Sequence, residues 1–321
     1  VDQLGTIWSL FQALFLEATP FLVLGIAIST LARRYLPGGE VLQRLPSHPL
    51  LGPLTGAALG FALPACECGN VPVARRLLAA GAPMPTGLGF LFAAPVLNPI
   101  VIAGTWAAFP DRPWLLLARP LGALLLALAL AGLLRFMAEP DLLAASLLAE
   151  RRLHLPRQQV SLLEAGGGWL GGAPAPPPPL APAGRERPSW RDTLRHALDE
   201  LLELGVLLVM GCLIAAALQS LLPRQWLLAV GQAPTLSILA LMLLTVIISV
   251  CSSVDAFLAL GFAAQITPGA LLAFLVLGPI VDIKALGLYS AIFRGPALGL
   301  VVLCSCVIVL LMGQWLNLIA L

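Results

Sequence analysis

The chain has 321 residues, 59% of them hydrophobic and 11% charged, with a net charge of +2. A soluble domain carries about 25% charged residues, so the composition excludes a water-soluble globular fold, and the lack of a basic face with interleaved aromatics excludes a nucleic-acid binder. The six cysteines lie in or beside apolar stretches, unlike the loop-borne disulfide framework of a secreted domain.

A bilayer core of ~30 Å needs an apolar run of ~20 residues. In chain order, the sequence predicts full spans near 11–32, 87–108, 114–137, 198–222, 269–292 and 296–320. Two further apolar segments, near 50–80 and 235–265, are broken in the middle. The first break is Leu63-Pro64-Ala65-Cys66-Glu67-Cys68-Gly69-Asn70, and the second is Ser249-Val250-Cys251-Ser252-Ser253-Val254-Asp255. Each is followed by a Pro and then an amide or acid: Pro95 with Asn98, Pro279 with Asp282. No cleavable signal-peptide pattern opens the sequence.

These correspondences indicate a duplication. At an offset of 186, Glu17 meets Glu203, Gly25 meets Gly211, and Leu36-Pro37 meets Leu222-Pro223. At 184, Phe90-Leu91 meets Phe274-Leu275, Pro95 meets Pro279, Asn98 meets Asp282, and Cys68 falls on Ser252. Between the halves, 138–196 reads as a flexible linker with Gly166-Gly167-Gly168 and a run from Pro174 to Pro179, and thirteen of the charged residues lie between Glu139 and Arg195. The expected organisation is therefore 1–137 as an N-terminal membrane half, 138–196 as the linker, and 197–321 as a C-terminal membrane half.

Charge bias sets the orientation. Arg33, Arg34 and Arg44, the linker, and Arg294 are the basic regions expected in the cytoplasm. They share one side only if each half crosses an odd number of times, as three full spans plus a re-entrant hairpin, or as five short spans. The expected fold is thus an all-α polytopic membrane protein. It has two homologous inverted halves, each with three full transmembrane helices and a broken re-entrant helical hairpin. The linker is cytoplasmic and both termini are outside the cell membrane.

Thiols and carboxylates at membrane depth are expensive and mark pathways. Pro64 and Gly69 break the helix around Cys66-Glu67-Cys68, and Pro72 can start the next one. A helix opening near Asn70 points its free N–H groups back at the turn, favouring a thiolate or anion there. In the second break, Ser252 or Ser253 fits the N-cap and Asp255 the first helical turn. Two opposed tips would present thiols (Cys66, Cys68, Cys251), hydroxyls (Ser252, Ser253), acids (Glu67, Asp255) and an amide (Asn70) to one midplane site. Thiolates prefer Cu(I), Zn(II) or trivalent arsenic-type species, so Cys66, Cys68 and Cys251 are the expected ligands of a soft metal or metalloid substrate. Small polar residues also let helix backbones approach, which is the competing explanation.

Asn98 and Asp282 are expected to line the same path, with Asp282 as a proton-coupling carboxylate. Lys284, the chain's single lysine, either joins that coupling where the helix is unwound or snorkels to the cytoplasmic interface. Arg75 and Arg76 read as interfacial anchors, and Glu17 and Glu203 as acids near helix starts. Cys212, Cys304 and Cys306 read as packing residues. His48, His154 and His196 show no ligand spacing.

At these residues the chain resembles the YraQ/ArsP-type predicted permease family, also called DUF318 or UPF0718. The shared motifs are Cys66-Glu67-Cys68-Gly69-Asn70-Val71-Pro72, Ala94-Pro95-Val96-Leu97-Asn98-Pro99, the stretch Ser249 to Phe257, and Gly278 to Lys284. The resemblance covers both membrane halves and implies a permease, with some relatives linked to efflux of trivalent organoarsenicals or soft metals. The reading is a secondary transporter exporting a soft metal or metalloid species, with no catalytic residue and no cofactor. No Gly-x-x-x-x-Gly-Lys-Ser/Thr motif for a nucleotide occurs. Its partners are the lipid bilayer and the small substrate, with a second copy of the chain admissible. The alternatives are an intramembrane thiol oxidoreductase using Cys66 and Cys68, or a structural subunit of a membrane complex.

Overall fold

Unbroken apolar runs give long helices, and Pro- or Gly-punctuated runs give short ones in pairs. The computed structural model describes residues 3–35, 42, 44–62, 67–154, 189–221 and 234–320. The first half has α1 (Gln3–Tyr35), α2 (Leu51–Ala62), α3 (Glu67–Ala79), α4 (Met84–Ala93), α5 (Pro99–Ala108) and α6 (Trp114–Leu134). Two short helices follow, α7 (Glu139–Leu142) and α8 (Ala145–His154). The second half has α9 (Trp190–Leu221), α10 (Pro234–Ile248), α11 (Asp255–Leu260), α12 (Pro268–Leu277), α13 (Ile283–Tyr289) and α14 (Gly295–Ala320). Every regular element among the described residues is helical. Four stretches, Leu4–Leu31, Trp114–Leu134, Trp190–Leu218 and Gly295–Ile319, are long and apolar enough to cross a membrane.

One order of elements occurs twice: a long helix, two broken pairs, a long helix. The packing repeats with it. α2 lies on α4 and α4 on α6; α10 lies on α12 and α12 on α14. The opening helices α1 and α9 pack on each other, and the halves also meet where α3 touches α13 and α5 touches α11.

Small residues set the close approaches. Gly52, Gly56 and Gly60 form one face of α2, and a Cβ on any of them would strike Pro85, Thr86 or Ala94 of the α4 region. A Cβ on Gly25 of α1 would strike the backbone of Gly69 in α3. The outer faces carry apolar side chains such as Leu202, Leu311 and Leu318, exposed as a lipid-facing surface requires.

Three expectations change. The runs 87–108 and 269–292 are not continuous spans: helix stops at Ala93 and resumes at Pro99, and stops at Leu277 and resumes at Ile283. Pro95, Pro99 and Pro279 withhold N–H donors there, and Asn98 and Asp282 start the second helices as N-caps. Pro72 does not open a helix but lies inside α3, which begins at Glu67. The first part of the expected linker is folded. Leu142, Leu143 and Leu147 of 138–154 are buried, and Arg151 donates to the Leu78 and Ala82 carbonyls at 2.6 and 2.8 Å while pairing with Glu139. The glycine and proline runs of the linker, and Cys66 with Pro64, lie outside the described residues.

Candidate functional site

The broken segments converge. Glu67 stands at the first position of α3, 1% exposed. Its Oε1 lies 3.4 Å from Lys284 Nζ on α13 of the other half. Its Oε2 accepts from Ser252 Oγ at 3.4 Å and, more weakly, from the Cys251 thiol at 3.9 Å. Ser253 Oγ lies 3.3 Å from Cys251 Sγ. Lys284 donates to the Ser249 carbonyl at 3.1 Å. That carbonyl is available because Ser249, at φ 50°, ends α10 in the left-handed region, a conformation costing a non-glycine residue about 1–2 kcal/mol. Ser249 Oγ in turn accepts the Ile283 N–H at 3.1 Å.

A second buried pair crosses between the halves in the opposite sense. Arg119 of α6, 1% exposed, holds Asp255 of α11 at 2.6 Å. It also donates to Thr105 Oγ1 at 2.8 Å and to the Ser252 carbonyl at 3.1 Å. Ser252 therefore joins the two pairs, its hydroxyl to Glu67 and its carbonyl to Arg119. Each half supplies one cation and one acid to this chain of contacts. Uncompensated, any of these charges would cost several kcal/mol at such depth.

The other expected site residues fall around this chain. Cys68 and Cys251 are buried and in no disulfide among the described residues. Asn70 is fully buried on α3. Asp282 caps α13 by accepting the Ala285 N–H, and its other oxygen, Oδ2, is buried without a hydrogen-bond partner among the described residues. Asn98 caps α5, accepting the Ile100 N–H at 2.9 Å. Among those residues, no group of three or more His, Cys, Asp or Glu is placed to hold a metal ion.

Several single-residue expectations are corrected. Lys284 does not snorkel to an interface, because Glu67 and the Ser249 carbonyl offer it partners inside. Ser252 and Ser253 do not cap α11: Val254 is its N-cap, with no side-chain cap bond, and both hydroxyls turn to the Glu67–Cys251 cluster instead. Glu17 and Glu203 lie in the middles of α1 and α9. Glu17 Oε1 is buried without a hydrogen-bond partner among the described residues. Glu203 pairs with Arg75 at 2.8 Å, and Arg76 lies 3.7 Å from Glu150, so both arginines join helices rather than only anchoring an interface.

Arg119 is the residue of this cluster that sequence reasoning passed over, although a charge inside the apolar run 114–137 is itself a signal. Tyr289, 1% exposed at the end of α13, carries no such signal, since an aromatic in an apolar helix reads as core.

A family described as predicted permease, ArsP_1, matches residues 3–318. The chain belongs to this family. Among curated relatives, it is 34% identical over 286 residues to "UPF0718 protein YcgR" of Bacillus subtilis (strain 168), covering 89% of this chain and 88% of that protein. It is 31% identical over 288 residues to the "Putative two-component membrane permease complex subunit" of Streptococcus mutans serotype c, covering 89% of this chain and 86% of that one. No solved structure matches it. Membership of a membrane permease family agrees with the four apolar helices and with charged groups buried between the halves.

Proposed function

We propose that this multi-pass permease is a secondary transporter exporting a soft metal or metalloid species, which crosses where the halves exchange their buried ion pairs. The observation that carries this reading is the inter-half pair Glu67–Lys284, 3.4 Å apart, with the Cys251 thiol donating to Glu67 at 3.9 Å and Cys68 next in the chain. A ligand that takes these thiols displaces contacts of the pair and lets the halves part. The substrate is bound by Cys68, Cys251 and Cys66, with Glu67, Asn70, Ser252 and Ser253 beside them and Asn98 along the path. Asp282 and Lys284 couple the movement, and the halves, inverted relative to each other, rock about the site.

Uptake of arsenite, methylated arsenite, Cu(I) and Zn(II) into inverted vesicles tests this. Cys68→Ser and Cys251→Ser are each expected to cut uptake of the transported probe at least tenfold. Full uptake by both variants would sink the thiol site. A second reading, a subunit that acts only with a membrane partner, is favoured by the name of the Streptococcus mutans relative, a complex subunit. It predicts no uptake by the chain alone and uptake when a partner is co-expressed.

A further inference from the structure

Buried polar atoms in folded proteins almost always have a hydrogen-bond partner, so those without one call for a reason. Two such atoms belong to one short helix. Asp282 and Tyr289 are each 1% exposed, and among the described residues neither Asp282 Oδ2 nor Tyr289 Oη has a hydrogen-bond partner. They stand at the N-cap and the last residue of α13, seven residues and two helical turns apart, which puts them on one face. The start of this helix is tied to the second break, where Ser249 accepts the Ile283 N–H and the Lys284 ammonium, each at 3.1 Å. Glu67 Oε1, which has the Lys284 ion pair but no hydrogen bond among the described residues, meets the same helix there.

The phenol is held where it is. Its ring meets Phe92 edge-on at 6.2 Å and Phe293 edge-on at 6.2 Å, and those two rings stack on each other at 6.1 Å. The hydroxyl therefore cannot turn elsewhere without breaking an aromatic cluster. The duplication sharpens the point. At the offset of 184, Tyr289 corresponds to Thr105. Thr105 Oγ1 is taken by Arg119 at 2.8 Å, whereas no side chain among the described residues takes Tyr289 Oη.

We propose that Tyr289 is a further ligand-contacting residue, and that Tyr289 Oη, Asp282 Oδ2 and Glu67 Oε1 hold an O–H group beside the thiols, either a hydroxyl of the transported species or a water bound next to it. This rests on the transporter reading above and adds a polar side to the thiol site. Tyr289 donates to the incoming oxygen; a hydroxyl gives its one proton to one of the two carboxylate oxygens, and a water gives one to each.

The test uses the full chain in detergent, with binding of arsenous acid, which carries hydroxyls, compared with binding of Ag(I), which carries none. Tyr289→Phe removes one oxygen and keeps the ring cluster, and Asp282→Asn keeps a cap acceptor for α13. Each is expected to weaken arsenous acid by roughly three- to tenfold, the size of one hydrogen bond. An unchanged Ag(I) affinity assigns the O–H group to the ligand, and an equal loss for both probes assigns it to a bound water. Unchanged binding of both probes by both variants overturns the proposal. Cys68→Ser reads the thiol site separately: if it binds both probes like the wild type, the thiol reading fails whatever Tyr289→Phe does. If the wild-type chain binds neither probe, both readings fall.

Discussion

Lys284 is the chain's single lysine, and it is placed with 1% of its surface exposed against a carboxylate equally buried. Removing one member of a buried pair leaves an uncompensated charge, which costs about 3–5 kcal/mol, whereas removing both can be close to neutral. Lys284→Met is therefore expected to lower the melting temperature in detergent sharply, and Lys284→Met with Glu67→Gln to recover most of the loss. A double variant as unstable as the sum of the singles would show that the pair does not couple. Asp282 plays two parts that a variant can separate. Asp282→Ala loses the cap of α13, worth about 0.5–2 kcal/mol, while Asp282→Asn keeps a cap acceptor. If Asp282 also couples transport, Asp282→Asn melts like the wild type and transports poorly; full transport by Asp282→Asn removes the coupling role.

The elements owe their lengths to local chemistry and their positions to small residues. Pro95 and Pro279 stop helices, and Asn98 and Asp282 restart them, so these positions do the same structural work in both halves. Gly25 of α1 faces Gly69 of α3 with no room for a Cβ, but Gly132 of α6 has nothing within 4 Å of an added Cβ. Gly25→Val is expected to drive α1 off α3 and abolish the monodisperse peak in size-exclusion chromatography. Gly132→Ala should be neutral or stabilise by up to about 1 kcal/mol, since it raises helix propensity in open space. A well-folded Gly25→Val protein would contradict the packing. The breaks were legible because Pro and Gly act on their own backbone. The continuity of 87–108 and 269–292 was misread because apolar content outweighed single prolines, and hydropathy alone does not register a missing N–H.

At the scale of the molecule, the halves are tied by Arg75–Glu203 near one end of α3 and by Glu67–Lys284 at the other, 2.8 and 3.4 Å long. If transport requires one half to move against the other, tying them must stop it. Arg75→Cys with Glu203→Cys, joined by a reducible bis-thiosulfonate reagent, should lose uptake of the transported probe and regain it on reduction. Uptake that continues in the cross-linked protein would refute relative motion at that contact.

The sequence by itself determined the membrane class and the family, because composition, helix breakers and short motifs are properties of neighbouring residues. It also singled out Glu67, Cys68, Cys251, Ser252, Asp255 and Asp282 as chemistry out of place in apolar surroundings. Only the tertiary structure decided which charge answers which. The pairings Glu67–Lys284 and Arg119–Asp255 span 217 and 136 positions of the chain, and no local rule links residues so far apart. They form because a buried charge must find its counter-charge wherever the packing of the two halves brings one within reach.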